Sequence, residues 1–263
     1  DVLAASRSML GRIDGLIMMV PDEASIDTVE RVRRRIPVVL LNPRTPVERC
    51  CSVGIENYGG ARAAVEHLLS LGHRDIAFIS GPEGNVDAEE RLRGFRKAYV
   101  SAGLDPDQAL ILAGDFREIA GYEAGSDILS RQPRPTAVFA ANDSMAIGLL
   151  AALRRGGCRV PEDMAVVGFD NVAIASYLNP ALTTVNVDAC GLGIMAVEMM
   201  LEAMDSGSRT ESESKVIPAV LKIRQSCGGL AGPLSDRDAG DEHSAQVDNS
   251  RHEPTAANRG FTS

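Results

Sequence analysis

Tryptophan is absent from this chain, and aromatic residues make up only 4% of its 263 positions. The core must therefore be aliphatic, and an aromatic outside an apolar run stands out. No apolar run is long enough to span a bilayer, so no membrane partner is expected. Basic charge is in deficit: 27 Lys and Arg against 36 Asp and Glu give a net charge of −9. That excludes a nonspecific electrostatic hold on nucleic acid by this chain alone. The five cysteines, Cys50, Cys51, Cys158, Cys190 and Cys227, are odd in number and form no zinc-like C-x-x-C pair. They read as reduced packing residues. A disulfide between the adjacent Cys50 and Cys51 would be strained. The stretch Asp1–Arg7 lacks the basic flank and apolar core of a signal peptide, which points to the cytoplasm. There is no P-loop, no Gly-x-Ser-x-Gly elbow and no His-Glu-x-x-His. Gly54-Ile-Glu-Asn-Tyr-Gly59 lacks the spacing of a dinucleotide loop, and His67 and His73 have no second ligand set. Binding without chemistry, with no cofactor and no metal, fits these residues better than catalysis.

What is present is a recurring join of apolar strand to polar residues and then helix. Val138-Phe-Ala-Ala-Asn-Asp-Ser-Met-Ala146 shows it most fully, and Val38-Val-Leu-Leu-Asn42, Ile76-Ala-Phe-Ile-Ser80 and Val166-Val-Gly-Phe-Asp170 repeat it. Continuous apolar runs mark parallel strands buried on both faces. Ligands of open α/β sheets bind beyond the carboxyl ends of such strands. Asn42, Ser80, Asn142 and Asp170 are therefore offered to one crevice, suited to a small polar molecule.

The spacing predicts an amphipathic helix ending near Leu10, a strand over 13–20, a helix over 25–35 and a strand from Pro37 to Leu41. Residues 42–52 read as a loop. Helices are expected over 58–71, 89–102, 119–130, 145–155 and 192–204. They alternate with strands over 76–80, 109–114, 137–140 and 165–169, a strand near Val185 and a last strand over 216–224. Such alternation means βαβ units. From 228 to 263 no apolar periodicity remains, and the composition predicts a disordered tail.

With these segments placed, the chain resembles the effector-binding domain of the lactose/galactose-repressor (LacI/GalR) family of bacterial transcription regulators, from about residue 1 to 227. The resemblance is carried by Arg12-Ile-Asp-Gly-Leu-Ile17, His67-Leu-Leu-Ser-Leu-Gly-His-Arg74, Gly81-Pro82 and Arg91-Leu-Arg-Gly-Phe95. It continues through Pro135-Thr-Ala-Val-Phe-Ala-Ala-Asn-Asp143, Val160-Pro-Glu-Asp163, Val167-Gly-Phe-Asp-Asn171 and Pro180-Ala-Leu-Thr-Thr-Val185. It implies an α/β fold of periplasmic-binding-protein-like type I: two Rossmann-like lobes with parallel sheets. The first lobe would comprise 1–55 and 187–213, the second 56–186 and 214–227, with crossings near 55–57, 186–188 and 210–215. It further implies a homodimer, a sugar, nucleobase or related metabolite as effector, and operator DNA bound only through a headpiece that this sequence does not contain. Measured against the family, the first strand and helix of the first lobe are also missing. A sugar receptor feeding an ABC importer shares the two-lobe architecture and is the alternative reading.

Arg91 is the ligand-contacting arginine in this resemblance, and a guanidinium fork suits vicinal hydroxyls or a carboxylate. A solvated helix-face arginine is the competing reading. Asp170 could accept two hydroxyl protons, or cap the loop at Asn171. Asn142 can both donate and accept, whereas Asp143 reads as the cap of a helix starting at Ser144. Phe116 falls where the family stacks an aromatic on the ligand, with core packing as the alternative. Asn42 would reach across from the other lobe. Asn85 and Asp87, in the loop before Arg91, are weaker candidates that a turn and a cap explain equally well.

Overall fold

The structure, a computed structural model, describes residues 11–19, 26–44, 47–48, 50–205 and 213–229. The helix expected to end near Leu10 lies outside the described residues, as does the expected tail beyond Gly229. Two sheets organise the rest. The smaller contains β1 (Leu16–Met19), β2 (Val38–Leu41), β3 (Cys51–Ile55) and β9 (Ser214–Ile217), all parallel, in the order β1-β2-β3-β9. The larger has the order β10-β8-β7-β6-β4-β5. Its strands are β4 (Ile76–Ile79), β5 (Ile111–Leu112), β6 (Ala137–Ala140), β7 (Ala165–Asp170), β8 (Thr183–Val187) and β10 (Ala219–Lys222). Only β10 against β8 is antiparallel. The fold is α/β with parallel sheets, as expected.

The strand-length apolar runs are buried because helices cover both faces of the large sheet. Every residue of β4 and β6 is buried, and β7 is buried up to Phe169. On one face lie α2 (Asn57–Ser70) and α3 (Val86–Ser101), which pack on each other; on the other lie α4 (Glu118–Ser130) and α5 (Asp143–Arg155). Phe169 contacts the α2 side beside Gly60, while its neighbour Gly168 faces Asp143 of α5, the alternation a strand imposes. Phe78, Phe95, Phe139 and Tyr99 form a chain of ring contacts inside this core, so four of the ten aromatics are spent there. Helices α1 (Ile26–Val32) and α6 (Ala189–Asp205) cover the small sheet: Val29 and Val32 meet Met18, Val38 and Leu40, and Leu192, Ala196 and Met199 meet Val39, Cys51 and Val53.

Three differences from the expected element order matter. Strand β3 falls where a loop was expected to run up to Ser52. Its Cys-Ser-Val-Gly-Ile sequence alternates with small residues, because Ser52 and Gly54 face a hollow while Cys51, Val53 and Ile55 pack with the residues of α6. Helix α3 begins at Val86, with Asn85 as its N-cap, so Asp87 lies in its first turn and not in a loop. The expected last strand is two strands. Residues 214–217 pair with β3 in the small sheet, Pro218 breaks the ladder, and β10 pairs with β8 in the large one. The last crossing between sheets is therefore at Pro218 and not within 210–215, and 214–217 does not belong with the second lobe. Proline has no N–H for either ladder, which is why the chain changes sheets there.

Helices α4 and α5 approach so closely that a Cβ on Gly148 would strike the Glu118 carbonyl, and one on Gly121 the Met145 carbonyl. Backbone on both sides cannot yield. Gly148→Ala should destabilise the chain by about 1–3 kcal/mol. It is expected to lower the urea midpoint with the slope unchanged; an unaltered midpoint would refute the close packing.

Candidate functional site

The carboxyl ends of β2, β3, β6 and β7 and the amino ends of α2, α3 and α5 meet between the sheets. At their centre is Arg91, 4% exposed, on the second turn of α3. Its Nε donates to Asn57 Oδ1 (2.8 Å), and its Nη1 donates to the Ala141 carbonyl (2.6 Å) and pairs with Asp170 Oδ1 at 3.3 Å. The guanidinium lies 3.8 Å from the centroid of the Phe169 ring and 5.9 Å from that of Phe116. Burial opposes its charge, and the carboxylates of Asp170, Asp87 and Asp143 counter that. A solvated helix-face arginine is excluded by this geometry. The neighbouring Arg93 is the exposed one, paired with Glu90 and lying over Tyr58.

From Arg91 the network runs to the small sheet. Asn57 also donates from Nδ2 to Asp87 Oδ1 (2.8 Å), and Asn42 donates to Asp87 Oδ2 at 3.4 Å. Asn42 Oδ1 accepts from the Ile55 amide (2.8 Å), which fixes the side chain at the end of β2. A second bridge lies beside the first: Arg44 pairs with Glu89 at 2.7 Å and donates to the Gly84 carbonyl at 3.2 Å. Burial pushes the Asp87 carboxyl up, and Arg91, Asn57 and Asn42 pull it back down. Asn42 and Asp87 also line a hollow of about 270 Å³, with Arg44, Ser52, Gly54, Asn57, Ser214 and Lys215 among its other walls. Arg91, Asn142, Asp170 and Phe116 are not among its lining residues. Of these, Arg91 bonds to Asn57, which does line it.

The remaining expected residues are placed as follows. Asp170 ends β7 with φ 112° and a side chain 36% exposed, and burial raises its carboxyl to about 6 against the pull of Arg91. Asn142 is the N-cap of α5: its Oδ1 accepts from the Met145 amide (3.0 Å), and its Nδ2 donates to the Phe116 carbonyl (2.9 Å). Asp143 was expected to be that cap and is not. It opens α5 fully buried, with its carboxylate turned toward β7 and β8. Phe116, with φ 68°, is half-buried, packs against the core and lies over Gly81, where a side chain would displace the ring. Asn85 caps α3 through the Ala88 amide, and the Ser80 hydroxyl donates to the Gly81 carbonyl. Sequence reasoning missed Asn57 and Arg44 as site residues. Had β3 been recognised, Asn57 would have shown the same strand-end signature as Asn42.

Comparison with known proteins places the chain in a family. Residues 65–227 match the periplasmic binding protein-like domain. The chain belongs to the LacI family, as its effector-binding domain. It is 37% identical over 221 residues to the HTH-type transcriptional repressor PurR of Edwardsiella ictaluri, covering 83% of this chain and 64% of that protein. It is 39% identical over 181 residues to the HTH-type transcriptional regulator CelR of Thermobifida fusca, covering 69% and 53%. The chain thus spans less than two thirds of these relatives. A CelR–cellobiose complex superposes with a TM-score of 0.77 at 34% identity, covering 85% of this chain and 69% of that one. A LacI family regulator from Enterococcus faecium with bound ribose does so at 0.76 and 28%, covering 89% and 84%. These relatives are transcription regulators, not enzymes. Among the described residues no helix is long and apolar enough to cross a membrane.

The raised Asp170 carboxyl has a measurable consequence. Below about pH 6 the folded chain takes up a proton there that the unfolded chain, with its carboxyl near 3.8, does not. Stability therefore falls as pH rises through this window. Compared with Asp170→Asn, the parent should gain stability between pH 7 and pH 5, read from paired urea melts. A difference that stays flat across that range would contradict the burial of this carboxyl.

Proposed function

We propose that this chain is the ligand-sensing part of a LacI-type transcription regulator, taking a small sugar-like effector between its two sheets and thereby controlling operator binding. The observation that carries the reading is the polar bridge Asn42–Asp87–Asn57–Arg91–Asp170, which links residues of both sheets beside a polar hollow. A ligand that satisfies groups on both sides binds the closed arrangement better, and this differential affinity shifts the equilibrium. Arg91, Asp170 and Asn142 would supply directional bonds, Phe116 an apolar platform, and Asn42 the contact from the small sheet, with Asn85 and Asp87 fixing the start of α3. The solved neighbours with cellobiose and ribose support a sugar class. Their regulator names favour this reading over an importer's receptor. Operator DNA would be reached through a headpiece outside this sequence, in the cytoplasm. The working form would be a homodimer, for which the exposed apolar side chains Val172, Ile174 and Tyr177 offer one contact surface.

The reading is tested by calorimetric titration of cellobiose, ribose and a panel of other sugars and nucleobases. At least one should bind, and Arg91→Ala and Asp170→Ala should each weaken it by about 1–3 kcal/mol, the cost of unpairing a buried charged hydrogen bond. A panel without a binder, or variants that bind as tightly as the parent, would overturn it. Ile174→Asp should shift the mass measured by sedimentation from dimer to monomer; an unshifted dimer would remove that surface.

A further inference from the structure

The turn that ends β7 places two consecutive non-glycine residues at positive φ, Asp170 at 112° and Asn171 at 55°. Such backbone persists only where its surroundings hold it. Both amides that follow Asp170 lead to one buried group. The Val172 N–H donates to Asp143 Oδ2 at 2.9 Å. The Asn171 N–H donates to Thr184 Oγ1 at 3.3 Å, and the Thr184 hydroxyl passes its own proton to Asp143 Oδ1 at 2.6 Å. Asp143 is 0% exposed, and Thr184 is equally buried. The strand leaves room for this carboxylate: a Cβ on Gly168 would collide with Asp143 Oδ1. The Asn171 side chain is tied in turn to Asn186 and Arg224, each at 2.7 Å.

We propose that Asp143 is the positioning residue of this site: its carboxylate, directly and through Thr184, holds the 170–172 turn and so sets where the Asp170 carboxylate meets Arg91. Asp143 touches neither the hollow nor Arg91 by a hydrogen bond; apart from its charge, its reach into the site is through the turn. That a ligand reads Asp170 rests on the function proposed above. That Asp143 holds the turn does not, so the test needs no ligand.

Amide hydrogen exchange and a carbon-detected titration of the Asp170 carboxyl are measured in the parent, Asp143→Asn, Thr184→Val and Thr184→Ser. The Val172 amide should exchange at least about tenfold faster in Asp143→Asn, and the Asn171 amide likewise in Thr184→Val, as the opening cost of each falls. Asp143→Asn also removes a titratable group beside Asp170, one that burial raises to about 7, so the titration is read, with Thr184→Ser as the control, in Thr184→Val, which keeps that carboxyl. There Asp170 should fall from about 6 by about one unit toward its ordinary value as the carboxyl turns to solvent. Thr184→Ser, which keeps the hydroxyl, should restore both readings. If Asp143→Asn does not fold, the Thr184 pair decides alone. Parent-like exchange and an unmoved Asp170 titration in Thr184→Val would overturn the proposal.

Discussion

One buried cation organises this site. Arg91 is nearly closed off from solvent, and a guanidinium in that position must have its charge and donors met by fixed partners. Those partners come from three directions: Asn57 at the start of α2, the Ala141 carbonyl after β6, and Asp170 at the end of β7. Removing any one leaves a donor or charge unpaired in a low-dielectric setting. The loops at the strand ends are thereby held to a common centre.

The same cation explains why the crossing segments lie near the site. Asn57 follows β3 where the chain first leaves the small sheet, and Asn186, bonded to the turn after Asp170, lies at the second exit. Pro218 marks the third. Arg91 thus reaches one crossing directly and a second through the 170–172 turn. The small sheet is joined to this centre by two bridges of different character. Asn42–Asp87 is half-buried and long at 3.4 Å, whereas Arg44–Glu89 is short at 2.7 Å and lies at the surface, where such pairs contribute little.

Much of this was legible in the sequence, and for a definite reason. The continuous apolar runs of β2, β4, β6 and β7 are unambiguous because both faces of each strand are buried, and the polar residue closing each run is where chemistry collects. That logic found Asn42, Asn142 and Asp170. It missed β3 because Ser52 and Gly54 face a polar hollow, so the run is broken by the site itself. Losing β3 meant losing Asn57. Asp143 was misjudged for another reason: in Asn-Asp-Ser either acid or amide can cap a helix, and only the tertiary gap at Gly168 shows that the aspartate turns inward. Arg91 was found through the family resemblance, since its own neighbourhood of charged residues reads as a solvated face.

The central claim is that one small solute is held by groups of both sheets at once. A crystal structure of this chain grown with whichever sugar stabilises it most tests that directly. The account predicts a ligand within hydrogen-bond distance of Arg91 or Asp170 on the large-sheet side and of Asn42 on the small-sheet side. A ligand touching residues of one sheet only, with the Asn42–Asp87 bridge unaffected, would contradict it.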